Sequence, residues 1–186
     1  MTHSRPGTAP PAVRRGNAWR GKGELDIAIA DYNEAIRIDP NFAFPYNGRA
    51  SAFYDKGDLD RAIADYSEVI RLAPALAAPY NNRAQVWRDK GEFDKALDDA
   101  NEALRRDPKN GVVYSARGEI WRMKGDLDRA LADQDAAIRL DPQSPLPFLT
   151  RGDTHRYRGE FDSALPITIR RCGFGPTTFR PLSAAA

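Results

Sequence analysis

The sequence is poor in the residues from which disulfide frameworks and metal sites are built. Its 186 residues include one cysteine, Cys172, so no internal disulfide can form. The two histidines, His3 and His155, do not form a zinc-ligand pattern. No apolar run approaches the ~20 residues of a membrane-spanning helix, and mean hydropathy is low at -0.61. The first twenty residues carry three prolines and four arginines but no apolar core of a secretory signal, so a cytoplasmic protein is expected. There is no G-x-S-x-G, no HExxH and no glycine-rich phosphate loop. A non-enzyme without cofactor or metal is therefore the expectation.

Charge of one sign is lacking too. The formal net charge is +2, yet all 26 acids lie between residues 17 and 164, leaving that stretch mildly acidic. The surplus cations are Arg5, Arg14 and Arg15 at one end and Arg170, Arg171 and Arg180 at the other. A nucleic-acid reader needs a dense basic face on its folded part, because phosphate neutralisation dominates affinity. No nucleic-acid partner and no membrane insertion are expected.

What the chain does have is a 34-residue period. A Gly-acid-x-Asp block begins at Gly23, Gly57, Gly91, Gly125 and Gly159. Five residues after each glycine stands an alanine (Ala28, Ala62, Ala96, Ala130, Ala164), and seventeen after it a proline (Pro40, Pro74, Pro108, Pro142, Pro176). The glycine suits a left-handed turn closing one helix, and the proline stops the next. The block's Asp (Asp26, Asp60, Asp94, Asp128) is expected to cap the second helix. Each unit reads as helix, tight turn, helix, turn.

Small residues mark close helix approach, with Gly16, Ala50, Ala84, Gly118 and Gly152 on the first helix facing the alanine set on the second. Trp19, Phe53, Trp87, Trp121 and His155 recur at one expected core slot. Ile29, Ile63, Leu97 and Leu131 pair with Ile36, Ile70, Leu104 and Ile138 at the period of an amphipathic helix. The acidic cluster Asp98-Asp99 is expected to face solvent, and Cys172 has no neighbour that would activate it.

These offsets resemble the tetratricopeptide repeat (TPR) family over about residues 9–164, in the bacterial style of Tyr80-Asn81-Asn82-Arg83-Ala84 and Ala62-Ile63-Ala64-Asp65-Tyr66. The resemblance implies an all-α fold, a right-handed solenoid of tandem helix-turn-helix repeats whose first helices line a concave groove. It also implies a non-catalytic module that binds a peptide or a protein surface there. Expected boundaries are a lead-in over 1–8, repeats over about 9–42, 43–76, 77–110 and 111–144, a partial repeat over 145–164, and a degenerate tail over 165–186. The family's carboxylate clamp is matched by Asn17 alone, since Val13 and Gly48 stand where its lysine and second asparagine belong.

First-helix residues that the core does not need define the expected peptide-binding groove: Asn47, Tyr54, Asn81, Gln85, Arg88, Ser115 and Arg122. Amides can grip a peptide backbone of any sequence, and the arginines suit an acidic or C-terminal peptide. A second polar ladder couples Arg15, Arg49, Arg83, Arg117 and Arg151 with Asp31, Asp65, Asp99 and Asp133. Intramolecular salt bridges are favoured over an anion-binding strip, in one of two registries. Pairing is either within a repeat (Arg49 with Asp65) or across to the next (Asp65 with Arg83). The second would explain why Arg151 persists where Ile167 replaces the aspartate, but leaves Arg15 free.

After Leu165 the pattern fails abruptly, and the acids vanish. The first helix of the last repeat (about 146–158) should still form, with its face near Tyr157, Phe161 and Leu165 left open to self-association. Two rival readings follow: a degenerate or truncated fragment with no retained partner, or an accessory region of a larger enzyme.

Overall fold

The computed structural model describes residues 11–159. Nine helices follow one another there with no strand among the described residues: α1 Pro11–Gly21, α2 Leu25–Ile38, α3 Ala43–Asp55, α4 Leu59–Leu72, α5 Ala77–Asp89, α6 Phe93–Arg106, α7 Gly111–Lys124, α8 Leu127–Leu140 and α9 Leu146–Tyr157. The lead-in and the tail, including Phe161, Leu165 and Cys172, lie outside the described residues.

Each helix packs most extensively on its neighbours in sequence, as stacked hairpins require. First helices also touch across repeats, α1 with α3, α5 with α7 and α7 with α9, whereas no two second helices meet comparably. The row of first helices is therefore the inner, concave side of an all-α solenoid.

The turns follow the sequence pattern closely. Gly23, Gly57, Gly91, Gly125 and Gly159 all adopt positive φ between 79° and 89°, the region where a Cβ is penalised. The cap differs from expectation. The residue directly after the glycine occupies the N-cap, and Asp58 and Asp126 accept hydrogen bonds from the Arg61 and Arg129 amides. The block's own aspartate lies one step inside the helix, too far along to reach those amides, and Asp26, Asp60 and Asp94 take lysines of the following repeat instead.

Within a repeat, the small residues do bring the helices together. Ala50, Ala62, Ala84 and Ala96 are fully buried, and a Cβ on Gly118 would approach the Ala130 carbonyl to 3.1 Å. Between repeats, one buried pair sits at each seam. Tyr32 meets Ala52, Tyr66 meets Val86, and Ala100 meets Ile120, while Gln134 donates to the Thr154 hydroxyl at 2.9 Å. In the first and third seams a large residue faces a small one, from opposite sides, so the seams are filled by different solutions. The first is the tightest: a Cβ on Gly48 would stand 2.5 Å from the Tyr32 ring, and one on Gly16 2.8 Å. Tyr32 thus fills the space that a clamp asparagine at position 48 would need.

The aromatic slot lies at the margin of the core rather than inside it. Phe53 is buried, but Trp19, Trp87, Trp121 and His155 are only half-buried. Cations cover the exposed ring faces, Lys95 at 4.7 Å from the Trp87 centroid and Arg129 at 4.6 Å from that of Trp121. Trp87 still packs on Ala84, Ala96, Leu97 and Ile120. Trp87→Ala is expected to lower stability by about 3 kcal/mol, whereas the neighbouring Arg88→Ala should change it by no more than ~0.5 kcal/mol. Urea melts of the two variants check this, and equal losses would place position 87 outside the core.

Candidate functional site

The Arg–Asp ladder is a set of forked ion pairs. Arg49, Arg83 and Arg117 each present Nε and Nη2 to Asp65, Asp99 and Asp133 at 2.7–2.8 Å, and Arg15 holds Asp31 in the same way. All four aspartates are buried, and these hydrogen bonds push the Arg49 and Arg117 guanidinium groups further up from their ordinary range. The pairing is within a repeat, which corrects the cross-repeat registry.

The fork's third nitrogen does cross over. Nη1 of Arg49 donates to Asn33 at 2.5 Å, that of Arg83 to Ser67 at 2.8 Å and that of Arg117 to Asn101 at 2.6 Å, each on the preceding second helix. At the last copy this crossover position is acidic, and Arg151 pairs with Asp135 there. Arg151 therefore persists through Asp135 rather than Asp133, and its Nε is buried with no partner among the described residues. Asp99 correspondingly points inward, unlike the exposed Asp98.

A second ladder escaped the sequence reading. Lys56, Lys90, Lys124 and Arg158, each just before a turn glycine, pair with Asp26, Asp60, Asp94 and Asp128 of the preceding repeat. The signal is there, because both residue types recur with the 34-residue period and lie 30 apart. These carboxylates are 80–86% exposed, so the pairs fasten neighbouring repeats only weakly.

On the concave side, the seven candidate residues fall into two chemical groups. Tyr54, Arg88 and Arg122 are already engaged. The Tyr54 hydroxyl and Arg88 both donate to Asp89, and Arg122 donates through Nε to Glu119 at 3.0 Å. Burial, and then Asp89, push the Tyr54 phenol up, while Glu119 raises Arg122. The same holds at both ends of the row, where Arg20 pairs with Asp55 at 2.7 Å and Arg156 with Asp153 at 2.9 Å. Four groove arginines thus meet four groove carboxylates, and no net positive strip remains.

The other group is uncommitted. The side chains of Asn47, Asn81, Gln85 and Ser115 make no hydrogen bond with any described residue. Asn47 and Gln85 are half-buried, whereas Asn81 and Ser115 are buried in the floor, at 7% and 4% exposure. Asn81 Oδ1 is a buried acceptor without a donor, an arrangement that costs about 1–3 kcal/mol unless something outside the fold satisfies it. By contrast Asn17 accepts from the Tyr32 hydroxyl at 2.7 Å, and Ser51 lies 3.0 Å from that of Tyr66. Arg20, Ser51, Tyr54, Asn82 and Gln85 surround a cleft of about 200 Å³ beside the uncommitted row.

Among the described residues, no three His, Cys, Asp or Glu side chains are grouped so as to hold a metal ion, and no helix is long and apolar enough to cross a membrane.

Comparison with known proteins agrees with this architecture. Family models match residues 16–57 as a TPR repeat, and residues 47–111 and 81–145 as a tetratricopeptide repeat. No curated protein matches the chain significantly. Among solved structures, MamA from Desulfovibrio magneticus RS-1 is 16% identical with a TM-score of 0.76, covering 88% of this chain and 94% of that one. PilF of Pseudomonas aeruginosa is 18% identical with a TM-score of 0.77, over 89% and 76% of the two chains. YrrB, described as a TPR protein with an unusual peptide-binding site, is 22% identical with a TM-score of 0.67, over 86% and 82%. At these identities the likeness is one of fold. The repeat offsets, the stacked hairpins and the family matches together identify the chain as a member of the tetratricopeptide repeat family.

Proposed function

We propose that the concave face binds an extended peptide or an extended segment of a protein, without catalysis, and that its main chain is held by Asn47, Asn81, Gln85 and Ser115. TPR repeats are generally protein-interaction modules, and YrrB is described as peptide-binding. The observation that carries the reading is Asn81, a buried amide whose oxygen has no donor within the described fold. A peptide N–H supplies that donor, and backbone contacts of this kind accept many sequences. Tyr54, Arg88 and Arg122 belong to the same surface but act as its charge-balanced edge. An acidic or C-terminal ligand would have to displace Asp89 or Glu119 to use those arginines.

Asn81→Leu separates this reading from a structural role. Removing an unsatisfied buried amide should raise the melting temperature. In isothermal titration with a peptide selected on the wild-type protein, the same variant should bind about tenfold more weakly. A drop in melting temperature with unchanged affinity would make Asn81 a structural residue and remove the basis of the proposal. The rival reading of a degenerate fragment draws on the failure of the repeat pattern after Leu165 and, within the described residues, on the Arg151 Nε that is buried with no partner among them.

A further inference from the structure

Where α3, α5, α7 and α9 begin, one repeat position is small or rigid: Ala43, Ala77 and Gly111 as first helical residues and Pro145 as the N-cap of α9. A Cβ on Gly111 would rest 3.5 Å from the Leu140 Cβ and the Ala137 carbonyl, ordinary packing distances. Gly111, with no side chain of its own, lines a notch of about 170 Å³ between the starts of α7 and α9 and the end of α8. This is below the ~300–1,000 Å³ of a small-molecule site and suits one side chain. Its mouth is formed by Val112, Leu140 and Leu146, exposed at 68%, 40% and 55%, and Ser115 stands on its wall.

Two charges flank the notch, Lys109 and Asp141. Asp141 is occupied by its own turn, since Oδ1 accepts the Gln143 and Ser144 amides at 3.0 and 3.2 Å. Lys109 is exposed and makes no ion pair with any described residue, although most cations of the array are paired. Asp141 keeps its negative charge with Oδ1 held by its own turn, whereas Lys109 is the cation of the notch and has no ion pair among the described residues.

We propose that this notch is an anchor pocket for one large aliphatic side chain of the bound peptide, with a carboxylate beside it in the peptide pairing with Lys109. The proposal rests on the peptide-binding reading and adds sequence preference to it. Asn81 and Ser115 occupy the same place on neighbouring first helices, ~10 Å apart at ordinary helix packing. That is about three residues of extended chain. A peptide held by Asn81 would thus present a side chain to the notch one repeat further on. The burial of Val112, Leu140 and Leu146 against that side chain supplies affinity, and Lys109 supplies orientation.

A positional-scanning library of extended synthetic peptides, read against the full chain, tests this. The wild-type protein should prefer Leu, Ile or Met at one position, with Asp or Glu adjacent, by at least tenfold over Lys at either place. Gly111→Leu fills the notch from within and should abolish the aliphatic preference while peptides still bind. Lys109→Glu should reverse the adjacent preference from acid to base. Circular dichroism melts confirm that both variants fold, and a second apolar-face variant, Leu146→Asp, substitutes for Gly111→Leu if that one does not. Peptide binding without a preferred aliphatic position, or a preference unmoved by the notch variants, overturns the anchor and leaves the peptide reading standing. Failure to select any peptide overturns both. Sedimentation of wild type as a dimer that Gly111→Leu dissolves would assign the notch to a second copy of the chain, again against the proposal.

Discussion

Asp99→Ala is expected to destabilise the array by about 3–5 kcal/mol, far more than Asp98→Ala, which should stay within ~0.5 kcal/mol. Asp99 is 6% exposed and accepts two hydrogen bonds from Arg83 at 2.7 Å. Its removal leaves a half-buried guanidinium holding only the Ser67 hydroxyl. The double variant Arg83→Met/Asp99→Leu should lose much less than Asp99→Ala, because an apolar pair leaves no charge uncompensated. Urea denaturation of the three variants checks the ranking. If Asp98→Ala and Asp99→Ala were equally mild, the ladder would be surface decoration.

The second large effect concerns the seams. Ile120→Ala removes a side chain 1% exposed from the cluster it shares with Ala84, Ala96, Leu97 and Ala100, and leaves a cavity there. About 3 kcal/mol should be lost. Ala100→Tyr alone drives a ring into Ile120 and should cost about 2–3 kcal/mol. Combined, Ala100→Tyr/Ile120→Ala copies the Tyr32 and Ala52 pair of the first seam, but Ala84 and Ala116 stand where Gly16 and Gly48 make room for the Tyr32 ring. It should therefore recover only part of both losses, a coupling of ~1 kcal/mol between neighbouring positions. Additive losses in the double variant would show that the two residues do not share one space.

The seams also explain how near-identical repeats stay in order. Exchanging neighbouring repeats would set Tyr against Ile or Ala against Ala, giving a clash or a void. The polar Gln134–Thr154 pair marks the last described seam in another way, since neither group tolerates an apolar partner without losing its hydrogen bond.

Much of this architecture is legible in the order of amino acids. Five glycines at a 34-residue interval specify left-handed turns, and every one has positive φ. Alanines five residues on specify contacts between helices, and Ala28, Ala62, Ala96 and Ala130 are fully buried. The candidate groove residues all fall on first helices, the concave row. Less legible is what each polar side chain holds. The place of Asp60 near a helix start suggests a cap, yet Lys90 takes it from thirty residues away. The spacing of Arg88 and Arg122 suggests free cations, yet Asp89 and Glu119 neutralise them from one and three residues away.

The division has a physical cause. Backbone conformation and helix facing depend on short-range sterics and on the period of apolar residues, both of which are written along the chain. On that basis the order of residues alone determined the repeat, the turns, the fold class and the set of residues on the concave row. The partner of a charged or amide group depends on distances between helices and on side-chain torsions, which no spacing in one dimension supplies. Only the packed array therefore decided that the arginine forks close within a repeat while one nitrogen reaches the one before. It also left Asn81 Oδ1 without a donor among the described residues and set Gly111 in the lining of a notch between three helix ends.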